Sequence, residues 1–442
     1  MDAAGERRAD PMRIVHVGGH ASPNIVDGIN AVVWTIAVEQ LKLGHETGLL
    51  LSEPPDDEAL ALADRTGLEL LYVPASTWRY DDSIGKALIQ RTPADIVHFH
   101  SVFVPRQATL ARQLRRWAIP YVITPHGGLM PQVLSRGRLK KQVYSTLIEK
   151  PRFRHAAGIA YITPGGERDI RAYVPGFRGP VRWVPNPVDI DGLQQRYWQP
   201  RPGRPYFLFL GRFDVYHKGL DRLAEIARRV PEADFILHGV EDPGTLAHLN
   251  VIRAHAPANL AINPPIFGDA KLELLSGATM YIQVSRWEAL SISILEALAL
   301  GTPTVIAESM SMAGMFREND LGLVVSTRPD EAARQIRQAL VDEARLRQWS
   351  QHSRAYARAR FSPASVARSV VGVYEEALDF WADQRGVPAL LPRVEPDIWR
   401  EVALRIKREE EAERRANEGD EPLALGGPHP HEGFGMLGEI AK

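Results

Sequence analysis

Short, nearly continuous apolar runs alternate with longer amphipathic stretches along most of this chain. In the first half, "RIVHVGG", "ETGLLLS", "LELLYVP", "DIVHFHS" and "PYVITPHG" read as buried strands that end in turn residues. Helical stretches such as "AVVWTIAVEQLKLGH" lie between several of them. Strands that are apolar throughout, rather than at every second position, need cover on both faces. The alternation therefore predicts an α/β protein with a parallel sheet and helices on both sides.

The pattern then restarts. The stretch 182–205, "RWVPNPVDIDGLQQRYWQPRPGRP", is dense in proline and polar residues and has little periodicity, so it reads as a linker. After it come "YFLFLGR", "DFILHGV", "LAINPP", "MYIQVSR" and "PTVIAES", again interleaved with helices. Two Rossmann-like sheets in series imply a cleft, with ligands at the C-terminal ends of the strands. The expected division is a disordered N-terminus (1–11), a first Rossmann-like domain (12–184), a linker (185–205), a second domain (206–364), one amphipathic helix (365–384) and a charged helix with a flexible tail (385–442).

Composition narrows the function classes. The chain has 442 residues, 45% hydrophobic and 24% charged, as an ordinary globular protein has. Lys+Arg (53) nearly cancel Asp+Glu (54), so nothing global points to nucleic acid. There is no cysteine, which excludes disulfides, thiolate metal sites and cysteine nucleophiles. No run has the length of a membrane span, and "MDAAGERRADPMR" lacks the apolar core of a signal peptide. A cytoplasmic protein is the expectation.

Two stretches concentrate candidate chemistry. In "LFLGRFDVYHKGLDRLAEIA" (208–227) a strand ends at Gly211, and Arg212 stands at its tip. Lys218 and Gly219 are expected to open the next helix. A lysine there opposes the macrodipole, and an anion between the two cations would give it a reason. In "RWEALSISILEALALGTPTVIA" (286–307), Glu288 and Glu296 bracket an apolar run. A helix is predicted from about Ser291 to Leu300, stopped by Gly301-Thr302-Pro303. Its N-terminal amides would form a diphosphate site. Helical rise separates the two glutamates by at most ~12 Å, about the reach from a sugar across a diphosphate to a ribose.

These residues resemble the retaining GT-B glycosyltransferases, in particular glycosyltransferase family 4. Gly211-Arg212 and Lys218-Gly219 match that family's "GR…KG", and Glu288 and Glu296 match its E-x7-E motif. "EALALGTPTV", "DIVHFHS", "TPHG" and "PNPVD" are similar to further family segments, and the likeness spans roughly residues 12 to 385. The resemblance implies a GT-B fold whose last helix crosses back to the N-terminal domain. It implies that Arg212 and Lys218 bind the donor diphosphate and that Glu296 accepts from the nucleotide ribose. Glu288 would contact sugar hydroxyls, the amides of Leu290 and Ser291 the sugar or phosphate, and His126 the donor sugar from across the cleft. Gly28 matches the loop after the first strand. The chain departs from the family pattern at Ile29, Ala289, Ser291 and Pro187, where glycines are usual.

Other signals carry less. "DID" (Asp189 and Asp191) is formally the D-x-D of metal-dependent glycosyltransferases but lies in the linker. "GGH" (18–20) is not a dinucleotide fingerprint. His429 and His431 fall in the tail. His98 and His100 read as packed or hydrogen-bonded side chains. In 136–155, seven basic residues stand against one acidic residue. Such a run is either a solvated face or a contact with anionic lipid beside a lipid-linked acceptor. The expectation is a metal-independent, retaining transfer of a sugar from a nucleotide diphosphate donor to a carbohydrate, lipid-linked or small-molecule hydroxyl, in polysaccharide or glycoconjugate biosynthesis, with no cofactor. A GT-B epimerase and a non-catalytic sugar-nucleotide-binding partner are the alternatives.

Overall fold

The computed structural model describes residues 11–384 except 26, 91–92, 136–137 and 194–195, and omits the side chains of 90, 138–140, 191 and 384. Of the predicted terminal segments 1–11 and 385–442, residues 1–10 and 385–442, with His429 and His431, lie outside the described residues.

The first sheet contains β1 (Arg13–Val17), β2 (Glu46–Leu51), β3 (Glu69–Tyr72), β4 (Ile96–His100), β5 (Tyr121–Thr124), β6 (Gly158–Tyr161) and β7 (Val181–Trp183). Its order is β3-β2-β1-β4-β5-β6-β7, parallel throughout. The second contains β8 (Tyr206–Leu210), β9 (Asp234–His238), β10 (Leu260–Asn263), β11 (Met280–Gln283), β12 (Thr304–Ala307) and β13 (Gly322–Val325). It is also parallel, in the order β10-β9-β8-β11-β12-β13. Strand direction of growth reverses between β1 and β4 and again between β8 and β11. Open parallel sheets bind ligands at such switch points.

The apolar runs located the central strands, where whole segments are buried. They missed β6, β7 and β13. β7 and β13 are short edge strands with incomplete burial; β7 is three residues long and interrupted by Arg182, and β13 is a four-residue run, Gly322–Val325, too short to stand out by pattern. Val181–Trp183 therefore claims the start of the stretch 182–205 for the first sheet.

The helix Glu343–Phe361 stops at Ser362, held extended (φ −60°, ψ 142°) ahead of Pro363. A new helix, Pro363–Gln384, begins two residues before the expected position and returns over the first sheet. Val366, Val370, Val373, Tyr374 and Ala377 are buried against Ile14, Val32, Ile36, Ile96 and Val122, with Leu378 and Trp381 at the margin. The expected stripe of Val370, Tyr374, Leu378 and Trp381 thus covers the N-terminal unit. Each fully buried large apolar side chain contributes ~1.5–3 kcal/mol, which ties the chain's two halves together.

Candidate active site

Just past β8, Gly211 leads into Arg212, whose side chain is 58% exposed and reaches Asp242 at 3.2 Å. Asp214 then caps the one-turn helix Val215–Lys218 by accepting from the His217 amide. Gly219 follows in the left-handed region at φ 66°, and a Cβ there would lie 2.3 Å from the Val284 carbonyl oxygen. Only glycine fits. The tight approach brings Lys218 beneath the loop after β11.

That loop carries Glu288, which is buried. Its Oε1 accepts from Lys218 Nζ (2.6 Å), Gln283 Nε2 (2.9 Å) and Ser285 Oγ (2.9 Å). His217 Nε2 lies 3.6 Å away and bonds the Trp287 carbonyl at 3.0 Å, while its ring stacks on the Trp287 indole. Burial by itself would raise the Glu288 pKa, but Lys218, His217 and the hydrogen bonds outweigh it and hold the carboxyl below its ordinary value. Burial lowers the His217 pKa, against the pull of Glu288. All these contacts fall on Oε1. Among the described residues nothing bonds Oε2 of Glu288.

Ser291 is the N-cap residue of the helix Ile292–Leu300, but its hydroxyl bonds Gln283 Oε1 at 3.1 Å instead of capping the helix. The first-turn amides therefore face the switch point without a side-chain cap. Asn186 Nδ2 donates to the Leu290 carbonyl at 3.3 Å. One turn into the helix, Glu296 pairs with Lys271 at 2.7 Å. The helix is apolar nearly all round because both sides are packed, and it ends at Gly301 with φ 78°.

Two loops of the N-terminal unit converge on residues 289–292. Gly28 starts the helix Gly28–Lys42, capped by Asp27, and a Cβ on it would come 3.4 Å from Ile292 Cδ1. Gly127 sits against Ala289, where an added Cβ would be 2.5 Å from the alanine's own. The preceding residue, His126, holds φ 45°, a strained value for a non-glycine residue. Its Nε2 lies 2.9 Å from His100 Nδ1. The residue is half-buried, and burial of the ring lowers its pKa to about 4.

Several expectations need correcting. Lys218 does not open a helix; it ends one, where its charge complements the dipole, and its partner is Glu288. Glu288 precedes the helix rather than lying on it, so helical rise does not measure its distance from Glu296. The run 136–155 is not one solvated face. Arg152 turns inward to Glu149 (3.3 Å) and the Ser101 carbonyl (2.9 Å), and Lys150 lies over the Tyr173 ring. Asp189 accepts from the Gly192 amide at 2.9 Å, and the Asp191 side chain lies outside the described set. Sequence reasoning passed over His217, Asp242, Lys271, Gln283 and Ser285. His217 stands beside Lys218, and Gln283 is a polar residue ending an apolar strand, so both left a signal; Lys271 left none.

Two facing Rossmann-like units joined by a returning helix form the GT-B architecture of glycosyltransferases. Residues 194–356 match the family described as "Glycosyl transferases group 1", and residues 27–187 match "Glycosyl transferase 4-like domain". The GDP-mannose:cellobiosyl-diphosphopolyprenol alpha-mannosyltransferase of Xanthomonas campestris is 25% identical over 350 residues, covering 75% of this chain and 88% of its own. Among solved structures, the sucrose-phosphate synthase of Thermosynechococcus elongatus is similar at a TM-score of 0.67 and 17% identity, over 83% of this chain and 99% of that one. HepE of Anabaena in complex with UDP and glucose is similar at 0.61 and 15% identity, over 82% and 99%. The chain belongs to the family 4-like, group 1 glycosyltransferases of the GT-B fold. Among the described residues no helix is long and apolar enough to cross a membrane.

Proposed function

We propose that this glycosyltransferase moves a sugar from a nucleotide diphosphate donor to an acceptor hydroxyl with retention of anomeric configuration and without a metal. The observation that carries the reading is the meeting, at the β8/β11 switch point, of Arg212, Lys218 and the uncapped start of the helix Ile292–Leu300. A departing diphosphate gathers negative charge, and preorganised cations and amides at its position lower the barrier. Lys218 has three ammonium protons and gives one to Glu288, which leaves two for phosphate oxygens. Arg212 adds a planar fork of donors.

Glu288 accepts from sugar hydroxyls through Oε2, since its other oxygen is fully engaged. Glu296 accepts from the ribose, exchanging its bond with Lys271 for one with a hydroxyl. His126 approaches the sugar from the N-terminal unit, and the amides of Leu290 and Ser291 and the backbone at Gly28 and Gly211 line the donor. Retention is what the family resemblance implies, and the leaving phosphate takes the acceptor's proton on the same face.

The acceptor side lies in the N-terminal unit. A cavity of about 550 Å³ there is lined by Leu129, Leu134, Ser145, Tyr173, Lys141 and Lys150. Its wall at Leu129 belongs to the same turn as His126. The lining also includes Asp169, which the two lysines outnumber, and its apolar wall with a net positive charge suits an acceptor with an apolar body and an anionic group. The Xanthomonas relative is named for a diphosphopolyprenol acceptor. Incubation with UDP-, GDP- and ADP-sugars tests the reading: one class should raise the melting temperature and, with acceptor, yield a product whose NMR coupling shows the donor's own anomeric configuration. Inverted product, or no stabilisation by any of the three, would refute it.

A further inference from the structure

A buried chain of side chains runs from the returning helix to the candidate site. Gln40 Oε1 is 2.8 Å from His16 Nε2, His16 Nδ1 is 3.0 Å from His100 Nε2, and His100 Nδ1 is 2.9 Å from His126 Nε2. On its other side, Gln40 Nε2 donates to the Tyr374 hydroxyl at 3.4 Å. That hydroxyl lies 2.7 Å from His98 Nδ1, and His98 Nε2 lies 2.7 Å from Thr124 Oγ1. Gln40, His16, His98, His100 and Tyr374 are all buried.

The proton positions follow from what each atom can do. Burial holds all four rings neutral near pH 7, with His16 and His126 lowered to about 4 and His98 and His100 well below the usual value. A neutral imidazole has one N–H and one lone pair. A carbonyl oxygen only accepts, so His16 carries its proton on Nε2 and accepts through Nδ1. His100 must then donate from Nε2 and accept through Nδ1, and His126 must donate from Nε2. No described residue bonds the remaining nitrogen of His126, Nδ1. Tyr374 donating to His98, and His98 donating to Thr124, completes the same direction. Turning the Gln40 amide by half a rotation would reverse every proton, so this one residue sets the polarity of the chain.

We propose that Gln40, His16 and His100 are positioning residues that lock His126 as its Nε2–H tautomer and present Nδ1 as an acceptor for a hydroxyl of the transferred sugar. The inference rests on the reading of His126 as a donor-sugar contact. It gives a physical reason for His16 and His100 side by side on the neighbouring strands β1 and β4 and for the strained backbone at His126. His16, His98 and His100 also offer ligand atoms within 4.8 Å of one another, as a metal site would. Every one of their ring nitrogens already has a hydrogen-bond partner, so a metal would have to displace the chain.

Long-range ¹H–¹⁵N spectra of the full-length protein, labelled at histidine, read the tautomers directly and without substrate. His16, His100 and His126 should each be protonated at Nε2 alone. Gln40→Leu should give mixed tautomers at His16 and His126 and lower kcat by roughly five- to tenfold, the worth of one hydrogen bond. Gln40→Glu, whose ionised carboxylate can only accept, should keep the wild-type tautomers of His16, His100 and His126 and reverse only His98, because Tyr374 must then donate to residue 40. A wild-type His126 protonated at Nδ1, averaged between tautomers, or bound to a metal would overturn the proposal, as would a single unchanged tautomer in Gln40→Leu. Mixed tautomers with unchanged kcat would uphold the chain and refute the sugar contact of His126.

Discussion

Replacing Lys218 by methionine removes one charge from a buried pair while keeping most of the side-chain volume. Lys218 and Glu288 are 15% and 8% exposed and 2.6 Å apart. With an effective dielectric of ~20, their attraction is ~6 kcal/mol, most of which offsets the cost of taking both charges out of water. Breaking such a pair leaves a buried carboxylate uncompensated, at ~3–5 kcal/mol. Ser285 and Gln283 still donate to Glu288, so the low end, ~3 kcal/mol, is expected. The Glu288 pKa, now below 4.5, should rise in the variant because burial is no longer outweighed. A depressed carboxyl contributes stability above its unfolded pKa and loses it as pH falls through the folded value. The unfolded chains titrate alike, so the stability gap between wild type and variant is full where Glu288 is ionised in both. It narrows as pH falls through the variant's raised pKa, and stops changing once pH is below the depressed wild-type value. Catalysis should fall ~10²–10³-fold, because the diphosphate loses a fixed counter-charge. The double variant Lys218→Met, Glu288→Gln separates the two effects. Urea unfolding should show most of the stability restored, and donor turnover should stay lost. If the double variant regained both, Lys218 would serve only to neutralise Glu288 and the diphosphate assignment would be wrong.

Arg212→Ala should also cost ~10²–10³ in kcat, Arg212→Lys should recover only part, and wild-type activity should survive EDTA; full loss in EDTA with rescue by Mn²⁺ or Mg²⁺ would reject fixed-cation catalysis. Glu296→Gln should weaken calorimetric binding of free nucleotide, whereas Glu288→Gln should spare it and lower turnover; equal behaviour of the two would contradict the ribose and sugar assignments. Gly219→Ala should destabilise by ~2–4 kcal/mol, since both the positive φ and the Val284 carbonyl oppose a Cβ; an unchanged denaturation midpoint would show that the loop yields. A chain ending at Ser362 should be insoluble or inactive, because Val370, Tyr374 and Ala377 leave the core of the N-terminal unit; a soluble, fully active product would refute the bracing role of the last helix.

The sequence alone determined what local patterning and motif spacing can carry. Apolar runs such as "YFLFLG" and "MYIQVS" are continuous because those strands are covered on both faces, so period and length disclosed two parallel sheets. The returning helix was legible in its stripe of Val370, Tyr374, Leu378 and Trp381. Glu288 and Glu296 stood out because carboxylates are costly beside apolar runs, Arg212 and Lys218 because cations at a strand tip and an expected helix start lacked a local partner, and all four because they match the family's motifs. Only the tertiary structure decided how those charges pair. Lys218 sits 70 positions from Glu288 and Lys271 sits 25 from Glu296. Ion pairing depends on distance in space, and no periodicity encodes it across separate loops. The histidines show the same limit: His98 and His100 read singly as packed or hydrogen-bonded side chains, His16 drew no reading, and His126 stood out through the family resemblance with nothing to link it to the other three. Their direction of proton donation arises only where parallel register stacks β1 on β4 and β4 on β5 and a helix from the far end of the chain places Tyr374 against Gln40.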